Sequence, residues 1–125
     1  MSEFDAVEAR LGAIVDRYRD RLESKALYGV ETLGRPGGRA HDYFIGLRTG
    51  KRYVSLYVLP VYGRPSLLDE ISPALRRRMQ GKACFNFATV DEPVMTELEA
   101  LVDRSYEVYT SDEYRRLVAV TSRRP

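Results

Sequence analysis

The chain has 125 residues, of which 44% are hydrophobic and 30% are charged. This length suits a single domain, residues 1–125, that buries a core without disulfide or metal crosslinks. One cysteine and one histidine exclude an intramolecular disulfide and a multi-cysteine metal site. The net charge of +2 is too small to predict nucleic-acid binding.

The chain also lacks the features of an exported or membrane protein. No apolar run approaches the roughly 18 residues that a membrane-spanning helix needs. The first ten residues, MSEFDAVEAR, are acidic where a signal peptide is basic, and they contain no apolar signal region. We therefore expect a cytoplasmic protein that does not bind membranes.

An amphipathic helix is predicted over residues 3–24. Apolar side chains recur there at spacings of three and four residues, which places them on one stripe of a helix. They are Phe4, Val7, Leu11, Ile14, Val15, Tyr18 and Leu22. A short strand is predicted at 28–33, and the glycines of GRPGGRA, residues 34–40, predict a mobile connection after it.

A β-hairpin is predicted over YFIGLRTGKRYVSLYVLP, residues 43–60, with Thr49-Gly50 at its tip. A two-residue turn gathers the aliphatic side chains of both strands on one face, whereas a three-residue turn reverses the facing of one strand. We favour the two-residue turn for that reason. The inward face then holds Tyr43, Ile45, Leu47, Val54, Leu56 and Val58.

The second half of the chain is predicted to be mostly helical. Short helices are expected at 66–71 and 73–80, a strand at 83–90, a long helix from Asp91, and a last helix after Ser111. Tyr114, Leu117 and Val118 are expected to dock that last helix, and residues 121–125 are expected to fray. The order of elements predicts an α+β fold, a small mainly antiparallel sheet with helices packed on one face.

Three segments resemble the YdhG-like family, whose members are bacterial domains of mostly unknown function and include a frataxin-type iron chaperone of bacilli. The segments are KRYVSLYVLP (51–60), GKACFNF (81–87) and DEPVMTELEALVDRSYEVY (91–109). The resemblance implies a compact α+β domain that delivers iron to an iron–sulfur or haem assembly protein. It implies no catalytic residues.

An iron chaperone needs exposed oxygen ligands that hold the metal weakly. On a helix that turns about 100° per residue, Asp16, Asp20 and Glu23 would form one acidic ridge beside the apolar stripe. Arg19 interrupts this ridge and lowers its negative potential. The alternative interpretation is an ordinary solvated helix face with intrahelical ion pairs.

A second hypothesis is an interaction module that uses the outer face of the hairpin. Tyrosine is enriched at surfaces that bind partners or ligands, and Gly46 is predicted to stand opposite Tyr53 and leave room for its ring. Such a module would bind a protein, a small ligand or a second copy of the chain without any metal. The residues assigned to this surface are His41, Phe44, Tyr53, Ser55 and Tyr57.

Other chemistry has weaker support. Arg76, Arg77 and Arg78 form a basic cluster that would bind an anion or simply keep the surface soluble. Cys84 and His41 are the obvious candidates for nucleophilic catalysis, but a lone cysteine within ACFNF is expected to be a buried apolar side chain. The chain shows no catalytic motif, and we expect a protein that is not an enzyme.

Overall fold

The computed structural model of the protein describes residues 3–39 and 41–122. The described residues form five α-helices: α1 (Glu3–Asp16), α2 (Leu59–Gly63), α3 (Pro73–Arg76), α4 (Glu92–Tyr109) and α5 (Asp112–Ser122). They also form six strands: β1 (Glu23–Leu27), β2 (Val30–Gly34), β3 (Tyr43–Thr49), β4 (Val54–Val58), β5 (Met79–Gln80) and β6 (Cys84–Phe87). A 3₁₀ turn, Pro65–Leu68, follows α2.

The described strands form one antiparallel sheet in the order β1-β2-β3-β4-β6-β5. The first four strands follow one another as a meander, and β6 joins the sheet beside β4 after the chain has passed through α2, α3 and the edge strand β5. Helices α1 and α4 supply apolar side chains to one core with the sheet. The predicted α+β fold, with helices packed on one face, is confirmed.

Strand β4 shows which face the helices cover. Val54, Leu56 and Val58 are fully buried, whereas Ser55 and Tyr57 between them are half-buried. The predicted inward facing of the aliphatic side chains is therefore confirmed. The predicted two-residue turn is wrong, because Thr49 pairs with Val54 and leaves a loop of four residues. The aliphatic side chains still share one face, because the observed loop is longer than the predicted loop by two residues, an even number.

Phe44 lies on the covered face, not on the outer face as predicted. Leu33 pairs with Ile45 and Gly34 pairs with Tyr43, so Phe44 is an extra residue between two pairs, a β-bulge. The bulge interrupts the alternation of β3, and Phe44 and Ile45 are both fully buried. Aromatic rings from the helical side surround Phe44, and their centroids lie 5.0 to 5.6 Å from its own: they belong to Tyr18, Tyr106 and Tyr109.

The first helix ends earlier than predicted, at Asp16. Tyr18 is buried although it follows the last helical residue. The three- and four-residue spacing of buried side chains thus extends beyond the helix itself, which is why the predicted helix is too long. The chain then forms the β1–β2 hairpin through a two-residue turn at Tyr28 (φ 51°) and Gly29 (φ 78°). The prediction found β2 and missed β1, because ESKAL lacks the alternation of a half-buried strand.

The later elements mostly follow the prediction. Ser72 caps α3 by accepting a hydrogen bond from the amide of Leu75 at 3.2 Å, but the helix stops at Arg76 and Met79–Gln80 form β5 instead of its last turn. Tyr114 is buried as predicted, whereas Leu117 is exposed, so its predicted docking is wrong. The side chain of Val118 and residues 123–125 lie outside the described part, and 121–122 continue α5.

Candidate functional site

The face of the sheet opposite the helices is polar. Strand pairing places Tyr57 between Gly46 and Cys84, and Ser55 between Arg48 and Asn86. A half-exposed sheet face is ordinarily polar, so polarity alone does not mark a site. Concavity and the sign of the charge distinguish this face, which we call the open face.

A cavity of about 660 Å³ lies on the open face at the end of the β3–β4 hairpin. Its lining comes from β3, the hairpin loop, β4, β5 and β6: Arg48, Gly50, Lys51, Arg52, Tyr53, Ser55, Tyr57, Gln80, Cys84 and Asn86. This volume is within the roughly 300–1,000 Å³ range of small-molecule pockets. The cavity is therefore large enough for a metabolite-sized ligand.

Hydrogen bonds across three strands order the floor of the cavity. The Asn86 side-chain oxygen accepts from Ser55 Oγ at 2.6 Å and from the Cys84 thiol at 3.3 Å. Its amide nitrogen donates to Gln80 Oε1 at 2.6 Å. Because each group holds its neighbour in one orientation, the floor presents a fixed set of polar atoms to a ligand.

The cavity is electropositive. Among the described residues that line it, every charged side chain is a cation: Arg48, Lys51 and Arg52. All three are exposed. The described strands β3 to β6, which build the cavity, contain no acidic residue. At this end of the hairpin, Glu8 of α1 accepts a hydrogen bond from Thr49, and it does not line the cavity. A concave surface that carries one sign of charge raises the local concentration of oppositely charged ligands.

Cys84 is half-buried and faces the cavity, whereas the sequence predicted a buried apolar side chain. Burial raises the pKa of its thiol, and hydrogen bonds with Ser55 and Tyr57 lower the pKa by less. The thiol is therefore protonated at neutral pH, and a protonated thiol is a poor nucleophile. Cys84 serves here as a small polarisable part of the floor.

The structure brings together some of the residues predicted for this surface. Tyr53, Ser55 and Tyr57 line the cavity, although Tyr53 lies in the loop and Gly46 stands opposite Tyr57. Phe44 is in the core. His41 is exposed and contacts the ring of Tyr28 at a centroid distance of 5.8 Å, and it does not line the cavity.

Sequence reasoning missed six of the lining side chains: Arg48, Lys51, Arg52, Gln80, Cys84 and Asn86. Two signals could have found most of them. The basic pair in TGKRY lies at the hairpin tip, and Asn86 alternates with the buried Phe85 and Phe87, which puts it on the face of Ser55. Gln80 had no such signal, because β5 was interpreted as helix.

The predicted acidic ridge is not formed. Asp16 ends α1, Asp20 lies in the turn after it, and Glu23 begins β1, so the helical spacing that would align them does not exist. Asp16 pairs with Arg19 at 2.5 Å, and Glu23 accepts a hydrogen bond from the amide of Gly37 at 2.7 Å.

Over residues 3–39 and 41–122, no group of three or more histidine, cysteine, aspartate or glutamate side chains is placed to hold a metal ion. Iron binding by Asp16, Asp20 and Glu23 itself stays a prediction.

The arginine cluster splits between solvent and the core rim. Arg76 and Arg77 are exposed, and Arg76 donates to the carbonyl of Leu68 at 2.7 Å. Arg78 is half-buried, with its guanidinium 5.7 Å from the centre of the Phe87 ring. Anion binding by these three residues stays a prediction.

No family model, curated protein or solved structure matches the chain. The resemblance to the YdhG-like family therefore stays a prediction. None of the described helices is both long enough and apolar enough to cross a lipid bilayer.

Proposed function

We propose that the protein is a non-catalytic binding module that takes a small organic anion in the cavity on the open face. One observation carries the proposal: a cavity of about 660 Å³ whose described charged lining consists of three cations. The proposal does not depend on membership of the YdhG-like family, and it needs no metal.

The lining favours an anion with a flat apolar part. Arg48 and Arg52 carry guanidinium groups, which bind carboxylate or phosphate oxygens through paired N–H donors. Tyr53 and Tyr57 supply ring surface against which a planar group packs. The amide groups of Gln80 and Asn86 can then hydrogen-bond to the polar edge of that group.

An open, cationic site of this kind has a characteristic salt dependence. Exposed charges are screened over about 8 Å at physiological ionic strength, so the attraction weakens as salt rises. Salt has far less effect on the packing of the ligand against Tyr57 and on its hydrogen bonds to the floor. The ligand's affinity should therefore fall with salt and level off at the value that packing and hydrogen bonds supply.

The test uses phenyl phosphate and benzoate as probes, at low and physiological ionic strength, with amide NMR of the protein. We expect shifts at Ser55, Cys84 and Asn86. The double substitution Arg48→Gln with Arg52→Gln should weaken binding about tenfold or more, since two charged hydrogen-bonding groups are lost. The double substitution Arg104→Gln with Arg116→Gln is the matched control, because both arginines are exposed and neither lines the cavity.

Tyr57→Ala separates packing from charge. It should weaken phenyl phosphate more than inorganic phosphate, because only the first has a ring to lose contact with. The proposal fails if neither probe shifts the open-face amides, or if the cavity double variant and the control double variant weaken binding equally.

A further inference from the structure

A second cavity lies at the opposite end of β3 from the hairpin loop, where four separate segments meet. Its volume is about 470 Å³. The segments are the turn after α1, the loop after β2, the last turns of α4, and α5. Their lining residues are Arg21, Leu22, Arg35, Pro36, Gly37, Gly38, Tyr106, Tyr109, Thr110 and Arg115.

Three of these residues are arginines, and no carboxylate is among the described lining residues. Arg21, Arg35 and Arg115 come from different segments, so chain connectivity does not explain their convergence. Like charges that meet without an anion repel one another. Three cations around one cavity therefore favour an anion inside it, to the extent that neighbouring carboxylates leave them uncompensated.

Asp42 compensates two of the arginines in part. Burial raises the pKa of Asp42, whereas the charge of Arg35, with which it pairs, and the charge of Arg115 act to lower it. Arg35 donates from Nε to Asp42 at 2.9 Å and from Nη2 to the carbonyl of Tyr109 at 2.5 Å, and its guanidinium lies 4.0 Å from the centre of the Tyr109 ring. Asp42 is itself largely buried. Arg35 is thus fixed in place, and a guanidinium with five N–H donors can still bind an anion after making two hydrogen bonds.

The other two arginines are less compensated. Arg21 stacks at 5.1 Å from the centre of the Tyr106 ring, and its pair with Asp20 is long, 3.5 Å, and exposed. Such surface pairs contribute little. Arg115 is exposed on the side of α5 that lines the cavity.

The carboxyl end of a helix carries partial negative charge, which by itself disfavours an anion at the end of α4. Here its carbonyls are occupied. The Tyr106 carbonyl accepts from the amide of Thr110 at 3.0 Å and from Thr110 Oγ1 at 2.9 Å, and the Tyr109 carbonyl accepts from Arg35. Arg35 therefore places a positive charge against the negative end of the helix before any ligand arrives.

We propose that this cavity, which we call the arginine cavity, binds a phosphate-class anion that bridges Arg21, Arg35 and Arg115. The planar guanidinium matches the oxygens of phosphate. A bound phosphate links α5 to the turn after α1 and to the loop after β2. Binding at this site thus stabilises the packing of α5 on the rest of the domain, independently of the open face.

The test measures binding and thermal stability with sodium phosphate and sodium pyrophosphate, against sodium chloride at equal ionic strength. In the full chain, saturating pyrophosphate should raise Tm by roughly 5 °C over chloride. Arg115→Gln should weaken pyrophosphate binding about tenfold. Arg116→Gln removes the same charge from the next residue of α5, which does not line the cavity, and should bind as the wild type does.

Amide NMR locates the anion. Shifts at Gly37, Gly38 and Thr110 support the arginine cavity, whereas shifts only at Ser55 and Asn86 overturn it and leave the open-face proposal standing. Equal weakening by Arg115→Gln and Arg116→Gln, or no gain over chloride, also overturns it. If Arg115→Gln does not fold, Arg21→Gln replaces it, and an unchanged affinity in that variant overturns the proposal.

Discussion

The two faces of the sheet differ sharply although the same strands build both. In β4, Leu56 is fully buried beneath the helices, and Tyr57, the next residue, is half-exposed in a cationic cavity. The covered face consists of aliphatic and aromatic side chains, whereas the open face consists of amides, hydroxyls, tyrosines and arginines. The comparison indicates that the covered face stabilises the fold, whereas the side chains of the open face stay partly exposed.

The largest expected effect tests the covered face at Leu56. Leu56→Ala removes buried methyl groups and leaves a cavity, so it should lower the free energy of unfolding by about 2–5 kcal/mol. Ser55→Ala, one residue away on the open face, should cost about 1 kcal/mol or less through its hydrogen bond to Asn86. Urea denaturation measures both, and equal losses would contradict the comparison.

The next effect concerns Tyr109, whose hydroxyl ties the helical layer to the sheet. It accepts from the amide of Arg35 at 2.9 Å and donates to the carbonyl of Asp42 at 2.7 Å. Tyr109→Phe keeps the ring and leaves two backbone groups without this partner, which should cost about 1–3 kcal/mol. Tyr62→Phe, the same change at an exposed tyrosine, is the control. A loss no greater than that of the control would show that water replaces the hydroxyl.

Alkaline pH should lower the free energy of unfolding, because buried tyrosines on the covered side keep their protons in the folded chain. Burial raises the pKa of Tyr114 to about 12 and raises that of Tyr109 further, from a reference value of 10.0. Above pH 10 the unfolded chain loses these protons while the folded chain keeps them, so stability is full below pH 10 and falls as pH rises toward 12.

Urea midpoints measured from pH 8 to pH 11.5 test this expectation. They should stay level up to about pH 10 and then decline. Tyr114→Phe should make the decline shallower. A midpoint that does not change up to pH 11.5 would contradict the assignment.

The smallest expected effect is a stabilisation of α1, one of the helices that cover the sheet. Gly12 lies within α1, and a β-carbon added there meets nothing within 4 Å. Gly12→Ala should therefore stabilise the protein by about 0.5–1 kcal/mol through helix propensity. Gly34→Ala is the contrast, because its β-carbon would lie 3.0 Å from the Asp42 carbonyl oxygen and 3.3 Å from the Tyr43 α-carbon. Both are backbone atoms that pairing within the sheet holds in place, so this substitution should destabilise the protein. Open-face ligand affinity should be unchanged in Gly12→Ala, and a changed affinity would show that the two faces are coupled.

The parts of the fold that sequence could predict depend on local patterns. The alternation in VSLYV determined which side of β4 faces the core, Ser72 marked the start of α3, and the spacing of Val94, Leu98 and Leu101 marked α4. Each signal reports a preference that neighbouring residues share.

The failures came where long-range pairing overrode such preferences. The bulge at Phe44 arises from the pairing of β3 with β2, and nothing within YFIGLRT shows it. Similarly, Tyr18 fits the helical spacing but is held by Phe44 and Tyr106 after the helix has ended. The acidic ridge was mispredicted for the same reason, since it required α1 to continue to Glu23.

The sequence by itself determined that this chain folds as an α+β domain, that the aliphatic side of β4 turns inward, and that Ser55 and Tyr57 turn outward, because strand alternation and helix periodicity are properties of the local chain. Only the tertiary structure decided that Arg48, Asn86 and Gln80 share one cavity and that Arg21, Arg35 and Arg115 share another. These groups are distant in sequence, and they meet because burial of the core aligns the strands and helices that carry them.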